Sequence, residues 1–239
     1  MSVKQLALLR TYEACDISDA LLKLKVTDLK GRTLGGFLDG LAPYRAKGMI
    51  ERKIVAPACT VQFQPKDKIN GVPALPKAAA SNIETGAHWS DLTEKDTVVV
   101  IQQPEGQQCA VVGGIMAQRM TVRGVAGVIV SGKIRDLQEM FTLKLPIWAR
   151  STSTVGSGAE AEAYAIQVPV RVGDTEIKPG DIMFCDPDEG VVAIPQERLQ
   201  EVLDILPSLI EADDKVKEAV GKGMSVQEAF ATFRTPKKA

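Results

Sequence analysis

The chain has 239 residues, 45% of them apolar and 25% charged, which suits a globular protein of one large domain or two small ones. A formal net charge of −1 removes any global basic field for nucleic acid or an anionic membrane. No apolar run approaches bilayer-spanning length, and Met1-Ser2-Val3-Lys4-Gln5-Leu6 does not read as a secretory signal.

Residues 3 to 25 read as helix, with Leu6, Leu9, Ile17, Leu21, Leu22 and Leu24 near helical spacing and Asp16 or Ser18 placed to cap a second segment. Residues 28 to 48 are rich in glycine and turn formers and read as loop. Ile54 to Phe63 alternates and predicts a strand; Asn82 to Leu92 reads as a helix, and Thr97 to Ile101 as a buried strand. After a turn at Pro104 to Gln108, Ala110-Val111-Val112 enters a helix that begins at Gly113-Gly114 and runs to about Arg123. Ala126 to Val130 predicts the next buried strand, with Gly132 opening the turn that follows it.

Asp136 starts a short helix that stops before Pro146, and Ile147-Trp148 continues as strand. Ser151 to Gly158 reads as loop. Gln167 to Val172 and Ile182 to Cys185 read as strands joined through a turn at Lys178 to Asp181, and Val191 to Ile194 follows a turn at Asp186 to Gly190. A long amphipathic helix spans Gln196 to Gly221, and a shorter one Val226 to Phe233. Neither an internal repeat nor a linker-like shift in composition breaks the chain. The expectation is a single α/β domain with helical termini.

Cys15, Cys59, Cys109 and Cys185 are scattered without a CxxC, a pattern of reduced thiols rather than of a disulfide framework or zinc site. His88 is the only histidine. A bound metal would therefore take oxygen ligands, which points to magnesium or manganese.

Two short stretches carry the chemistry. Gly113-Gly114-Ile115-Met116 places a glycine-started helix N-terminus after a strand, and exposed amides there bind a carboxylate or phosphate. Gly132-Lys133-Ile134-Arg135-Asp136 places an Arg-Asp pair at a strand's carboxyl end, where ligands of α/β proteins gather. Arginine grips an oxyanion while the aspartate holds a divalent metal. Each stretch also has a plainer reading: close strand–helix packing for the glycines, and a helix cap beside a surface arginine for Arg135-Asp136. Lys133 reads as a solvated loop lysine before a Schiff-base former. Asp186, Asp188 and Glu189 read as a solvated acidic turn, with a metal site the minor alternative. The charge run Glu211, Asp213, Asp214, Lys215 reads as a solvent face. Since G-x-G-x-x-G is missing, a dinucleotide site has no support.

With these residues in view, the chain resembles the family that contains 4-hydroxy-4-methyl-2-oxoglutarate aldolase and the regulator of ribonuclease E activity. The resemblance runs through Cys15 to Leu21, Ala110 to Ala117, Arg123 to Gly132 and Arg135-Asp136-Leu137. Val172, Pro179-Gly180-Asp181 and Asp186 to Pro195 extend it, and the wording at Gly113 to Met116 looks like a fungal-type branch.

The resemblance implies a β/β/α swivelling-type domain over residues 1–239, with a helical N-terminal segment at 1–25 and a C-terminal helical extension at 196–235. It implies a cytoplasmic homotrimer or dimer of trimers with active sites between subunits, acting on small 2-oxo acids and on neither nucleic acid nor membrane. The activity implied is a metal-dependent class II pyruvate aldolase with accompanying oxaloacetate decarboxylation. The amides of Gly113, Gly114, Ile115 and Met116 would hold the pyruvate carboxylate, Arg135 the keto and enolate oxygen, and Asp136 magnesium or manganese. Bacterial aldolases of the family place an Asp where Gly114 stands, and a neighbouring subunit's glutamate, best matched by Glu211, shares its work. The alternative is a non-catalytic oligomeric regulator, but those lack the Asp of the Arg-Asp pair.

Overall fold

The computed structural model describes residues 2–44, 53–66, 68–69, 72–73 and 81–234. The part of the expected 28–48 loop from 45 on lies outside them. Two helices open the chain, α1 (Val3–Leu9) and α2 (Ala14–Lys23), within the helical residues 3 to 25; the second segment starts at Ala14, ahead of the Asp16 or Ser18 cap expected for it. The break has a local cause. Asp16 Oδ2 accepts from the Glu13 amide at 2.9 Å, so Glu13 becomes the extended cap of a new helix.

The remaining elements are β1 (Ala42–Tyr44), β2 (Ile54–Pro65), β3 (Lys68–Ile69), β4 (Val72–Pro73), β5 (Val98–Gln102), α3 (Gly114–Arg123), β6 (Gly127–Ile134), α4 (Leu137–Thr142) and β7 (Ile147–Thr152), then β8 (Ala161–Ile166), β9 (Val170–Val172), β10 (Thr175–Ile177), β11 (Ile182–Asp186), β12 (Gly190–Ile194), α5 (Leu199–Gly221) and α6 (Val226–Phe233). Eight strands form one mixed sheet in the order β1-β7-β6-β5-β2-β11-β12, with β8 also paired to β2. Strands β2, β5, β6 and β7 run parallel, so their carboxyl ends lie together along one rim. The 12-residue β2 holds the sheet together: its first residues pair with β11, its middle with β5 and its end with β8.

Alternation along the strands divides the interior. On β6, Val128, Val130 and Ile134 face a core beneath α3 and α4, while Ile129 faces a second core with Trp148, Met183 and Ile177. A third core packs α2 and α5 on β11 and β12 through Ile17, Leu21, Phe184, Val202 and Leu206. Burying each of these large side chains contributes roughly 1.5–3 kcal/mol of transfer free energy. The architecture is the mixed α/β one expected, with helices at both ends of the chain.

Several elements differ from expectation. Residues 82–92 hold only a 3-10 turn at Trp89–Asp91. Asn82 uses its side-chain amide to pair with the Ile166 backbone (Nδ2 to O 2.7 Å, N to Oδ1 2.9 Å), and Gly86 is left-handed at φ 88°. Tertiary pairing therefore takes the segment out of helix. β1 arises inside the expected loop, as the sheet edge where its Pro43 is tolerated, and β8 was not expected at all. The strand expected over 167–172 begins only at Val170. Gly132 opens no turn: β6 continues through it to Ile134, with an irregularity between Val130 and Lys133.

Candidate active site

The carboxyl rim of the parallel strands positions the site. Beyond β5 the chain crosses the top of the sheet, where Glu160 Oε2 accepts from the amides of Gln108 (2.6 Å) and Cys109 (2.9 Å). Val111 N then donates to Lys133 O and Arg135 N to Val112 O, each at 3.0 Å, so the approach to α3 lies beside the end of β6. Gly132 permits this closeness. A Cβ there would stand 2.6 Å from Gln103 Cβ, and Gln103 Oε1 accepts the Lys133 amide at 2.8 Å.

Gly113 is the extended cap of α3 and has no side chain to satisfy the helix start. Asp136 does so from across the turn, its Oδ2 accepting the Gly114 amide at 3.0 Å. Neither the Ile115 nor the Met116 amide has a protein acceptor among the described residues, the condition in which a helix start receives an anion. The Ile115 side chain is exposed, and Met116 packs partly into the core below.

Asp136 caps α4 in the left-handed region, φ 61°, ψ 43°, a conformation aspartate tolerates better than most residues. That turn brings its carboxylate back onto Gly113, where a Cβ would lie 2.6 Å from Oδ2. Arg135 Nε stands 3.5 Å from the same oxygen, and both side chains keep access to solvent (43% and 37% exposed). The guanidinium lies between two glycines: a Cβ on Gly113 would be 3.2 Å from Nε, and one on Gly156 3.0 Å from Nη1. Glu139, one turn along α4, adds a second carboxylate over Gly114.

Gly113, Gly114, Arg135 and Asp136 thus meet at one point, as the sequence suggested. Glu211 does not join them within the chain. It lies exposed on α5, which packs on α2 and α6, and its carboxyl is held below its usual range by the Lys215 ammonium at 2.6 Å. Lys133 donates to Gln108 Oε1 at 3.3 Å from a half-buried position. His88 caps the 3-10 turn at Ser90. Cys59, Cys109 and Cys185 are buried; burial pushes the Cys59 thiol up to about 11 and raises the Cys185 thiol strongly. Sequence reasoning missed Glu139 and Gly156. The i, i+3 spacing of Asp136 and Glu139 was the available signal for the first.

For a divalent metal the local donors fit. Asp136 offers a hard carboxylate oxygen with neither imidazole nor thiolate beside it, a donor suited to magnesium or manganese. A separate acidic group is compatible with a cation. The carboxylates of Glu13, Asp186 and Glu189 lie within 4.8 Å of one another at the β11–β12 turn. They are already engaged: Glu13 pairs with Lys53, Glu189 accepts the Cys15 amide, and Asp186 accepts the amides of Asp188 and Glu189.

The glycine-opened start of α3 and the Arg135-Asp136 pair thus stand together at the carboxyl rim of the parallel strands. The profile of the RraA-like family, described as Aldolase/RraA, matches residues 14–193, and the chain belongs to that family. It is 27% identical to the Legionella pneumophila protein DlpA over 177 residues, 74% of this chain but only 27% of that protein. It is 29% identical over 166 residues, 70% of each chain, to a Halalkalibacterium halodurans protein named "Putative 4-hydroxy-4-methyl-2-oxoglutarate aldolase". An uncharacterised Pseudomonas syringae pv. tomato protein superposes with a TM-score of 0.75 at 24% identity, covering 98% of this chain and 95% of that one. Streptomyces coelicolor RraAS2, titled an unusual member of the RNase ES inhibitor RraA family, superposes with a TM-score of 0.68 at 22% identity, covering 94% and 98%. Among the described residues no helix is long and apolar enough to cross a membrane.

Proposed function

We propose that this chain is a divalent-metal-dependent carbon–carbon lyase that cleaves 4-hydroxy-4-methyl-2-oxoglutarate-type acids to pyruvate and also decarboxylates oxaloacetate. The observation that carries the reading is Asp136 returned by its left-handed turn onto the Gly113-Gly114 helix start, with Arg135 3.5 Å away. The aldolase names of the relatives point the same way.

In this reading the Gly113, Ile115 and Met116 amides receive the substrate's 1-carboxylate, while the Gly114 amide stays on Asp136 Oδ2. Arg135 receives the 2-keto oxygen and meets the negative charge that grows there as the C3–C4 bond breaks. Asp136 holds the cation, magnesium or manganese, which supplies Lewis acidity toward the enolate. Residues 1–239 act as one aldolase-type unit of the fungal-type branch. A cytoplasmic homotrimer or dimer of trimers brings Glu211 to a neighbouring site. A non-catalytic regulator is the second reading, favoured by the likeness to the Streptomyces protein, and it has no use for Asp136. Pyruvate release from the 4-hydroxy acid, with manganese and then with a chelator, separates the two: metal-dependent release supports the lyase, and none supports the regulator.

A further inference from the structure

The two glycines that open α3 face two carboxylates, and the reading above gives a task to one. Asp136 caps α4, and Glu139 follows at i+3, so both side chains stand on one face of that helix. That face looks onto the first turn of α3. A Cβ on Gly114 would overlap the Glu139 carboxylate and stand 2.8 Å from its Cδ and 3.0 Å from its Cβ. Gly114 has no positive φ, so its backbone makes no demand for glycine. A glycine in a helix otherwise costs up to about 1 kcal/mol against alanine. The volume taken by Glu139 supplies the reason for glycine there. The Glu139 carboxylate forms neither an ion pair nor a hydrogen bond among the described residues. It stands over the first turn of α3, beside the Ile115 and Met116 amides that have no protein acceptor among the described residues.

We propose that Glu139 is the base that accepts the proton of the substrate's C4 hydroxyl. This rests on the lyase reading. The hydroxyl proton passes to the Glu139 carboxylate, and the O–H electron pair forms the C4 carbonyl. The C3–C4 pair moves into the pyruvate enolate, and the proton held on Glu139 returns to C3, so cleavage consumes and releases none. Oxaloacetate has no such hydroxyl. Its decarboxylation reaches the same enolate by losing carbon dioxide and takes its proton from solvent.

The two reactions therefore separate the role. Glu139→Gln keeps the shape and removes the base, and should lower kcat for the 4-hydroxy acid by about 10²-fold or more. Oxaloacetate decarboxylation should fall far less, and Mn2+ affinity, read from the free-ion EPR signal, should hold. Gly114→Ala expels the same carboxylate without touching its chemistry and should reproduce that selectivity. Equal losses in both reactions, an equal loss of Mn2+ binding, or no loss in either would overturn the assignment. A wild-type protein that releases pyruvate from neither acid overturns the lyase reading itself, and this assignment with it.

Discussion

Asp136 performs two tasks that two substitutions pull apart. Its Oδ2 accepts the Gly114 amide at 3.0 Å, and its backbone occupies φ 61° at the start of α4. Replacing it with alanine strands the helix-start amide, at about 1 kcal/mol. It also forces a plain Cβ residue into the left-handed region, at roughly 1–2 kcal/mol. Together these amount to about 2–3 kcal/mol, which for a chain of this size lowers Tm by roughly 4–12 °C. Asparagine tolerates that conformation and keeps an oxygen acceptor, so Asp136→Asn should stay within about 1 kcal/mol of the wild type. Both variants lose the charge. Thermal unfolding followed by circular dichroism, Mn2+ binding by EPR and pyruvate release should show a stable Asp136→Asn and an unstable Asp136→Ala, both unable to bind Mn2+ and both inactive. An Asp136→Asn protein that turns over with metal would rule out Asp136 as the cation's holder, because only the carboxylate charge has been removed.

Two further outcomes test the frame around the site. Gly132→Ala should cost about 1–3 kcal/mol by overpacking, since its Cβ meets Gln103 Cβ at 2.6 Å rather than a mobile tip, and urea unfolding measures it. Under native conditions a thiol reagent should modify Cys15 alone, with Cys59, Cys109 and Cys185 reacting only after unfolding. The Cys15 thiol is raised by burial and then by the Glu189 charge, so Glu189→Gln should speed its reaction near pH 8; an unchanged rate contradicts the contact.

How much of this was legible in the sequence depends on the range of the forces involved. Gly113 to Met116 and Arg135-Asp136 were readable because strand, glycine and helix follow each other locally, and α3 begins at the expected glycines. That Asp136 reaches Gly114 depends on a left-handed turn and on the pairing of 110–112 beside β6, which no local pattern encodes. β8, Ala-Glu-Ala-Tyr-Ala-Ile, contains helix-forming residues and becomes strand only because β2 pairs with it. Residues 82–92 look helical until Asn82 bonds the end of that same strand. Glu139 escaped notice because a carboxylate on a short helix ordinarily belongs to solvent, and only the approach of α4 to Gly114 distinguishes it.

One assay run on both acids decides whether Arg135 and Asp136 carry out metal-dependent enolate chemistry. Pyruvate release from 4-hydroxy-4-methyl-2-oxoglutarate and from oxaloacetate would be followed in Mn2+, then after EDTA, then after Mn2+ is restored. Release from both is expected, with loss of both in EDTA and recovery of both on restoring the metal. Release that persists in EDTA, or none under any condition, would contradict a metal-dependent enolate chemistry at Arg135 and Asp136.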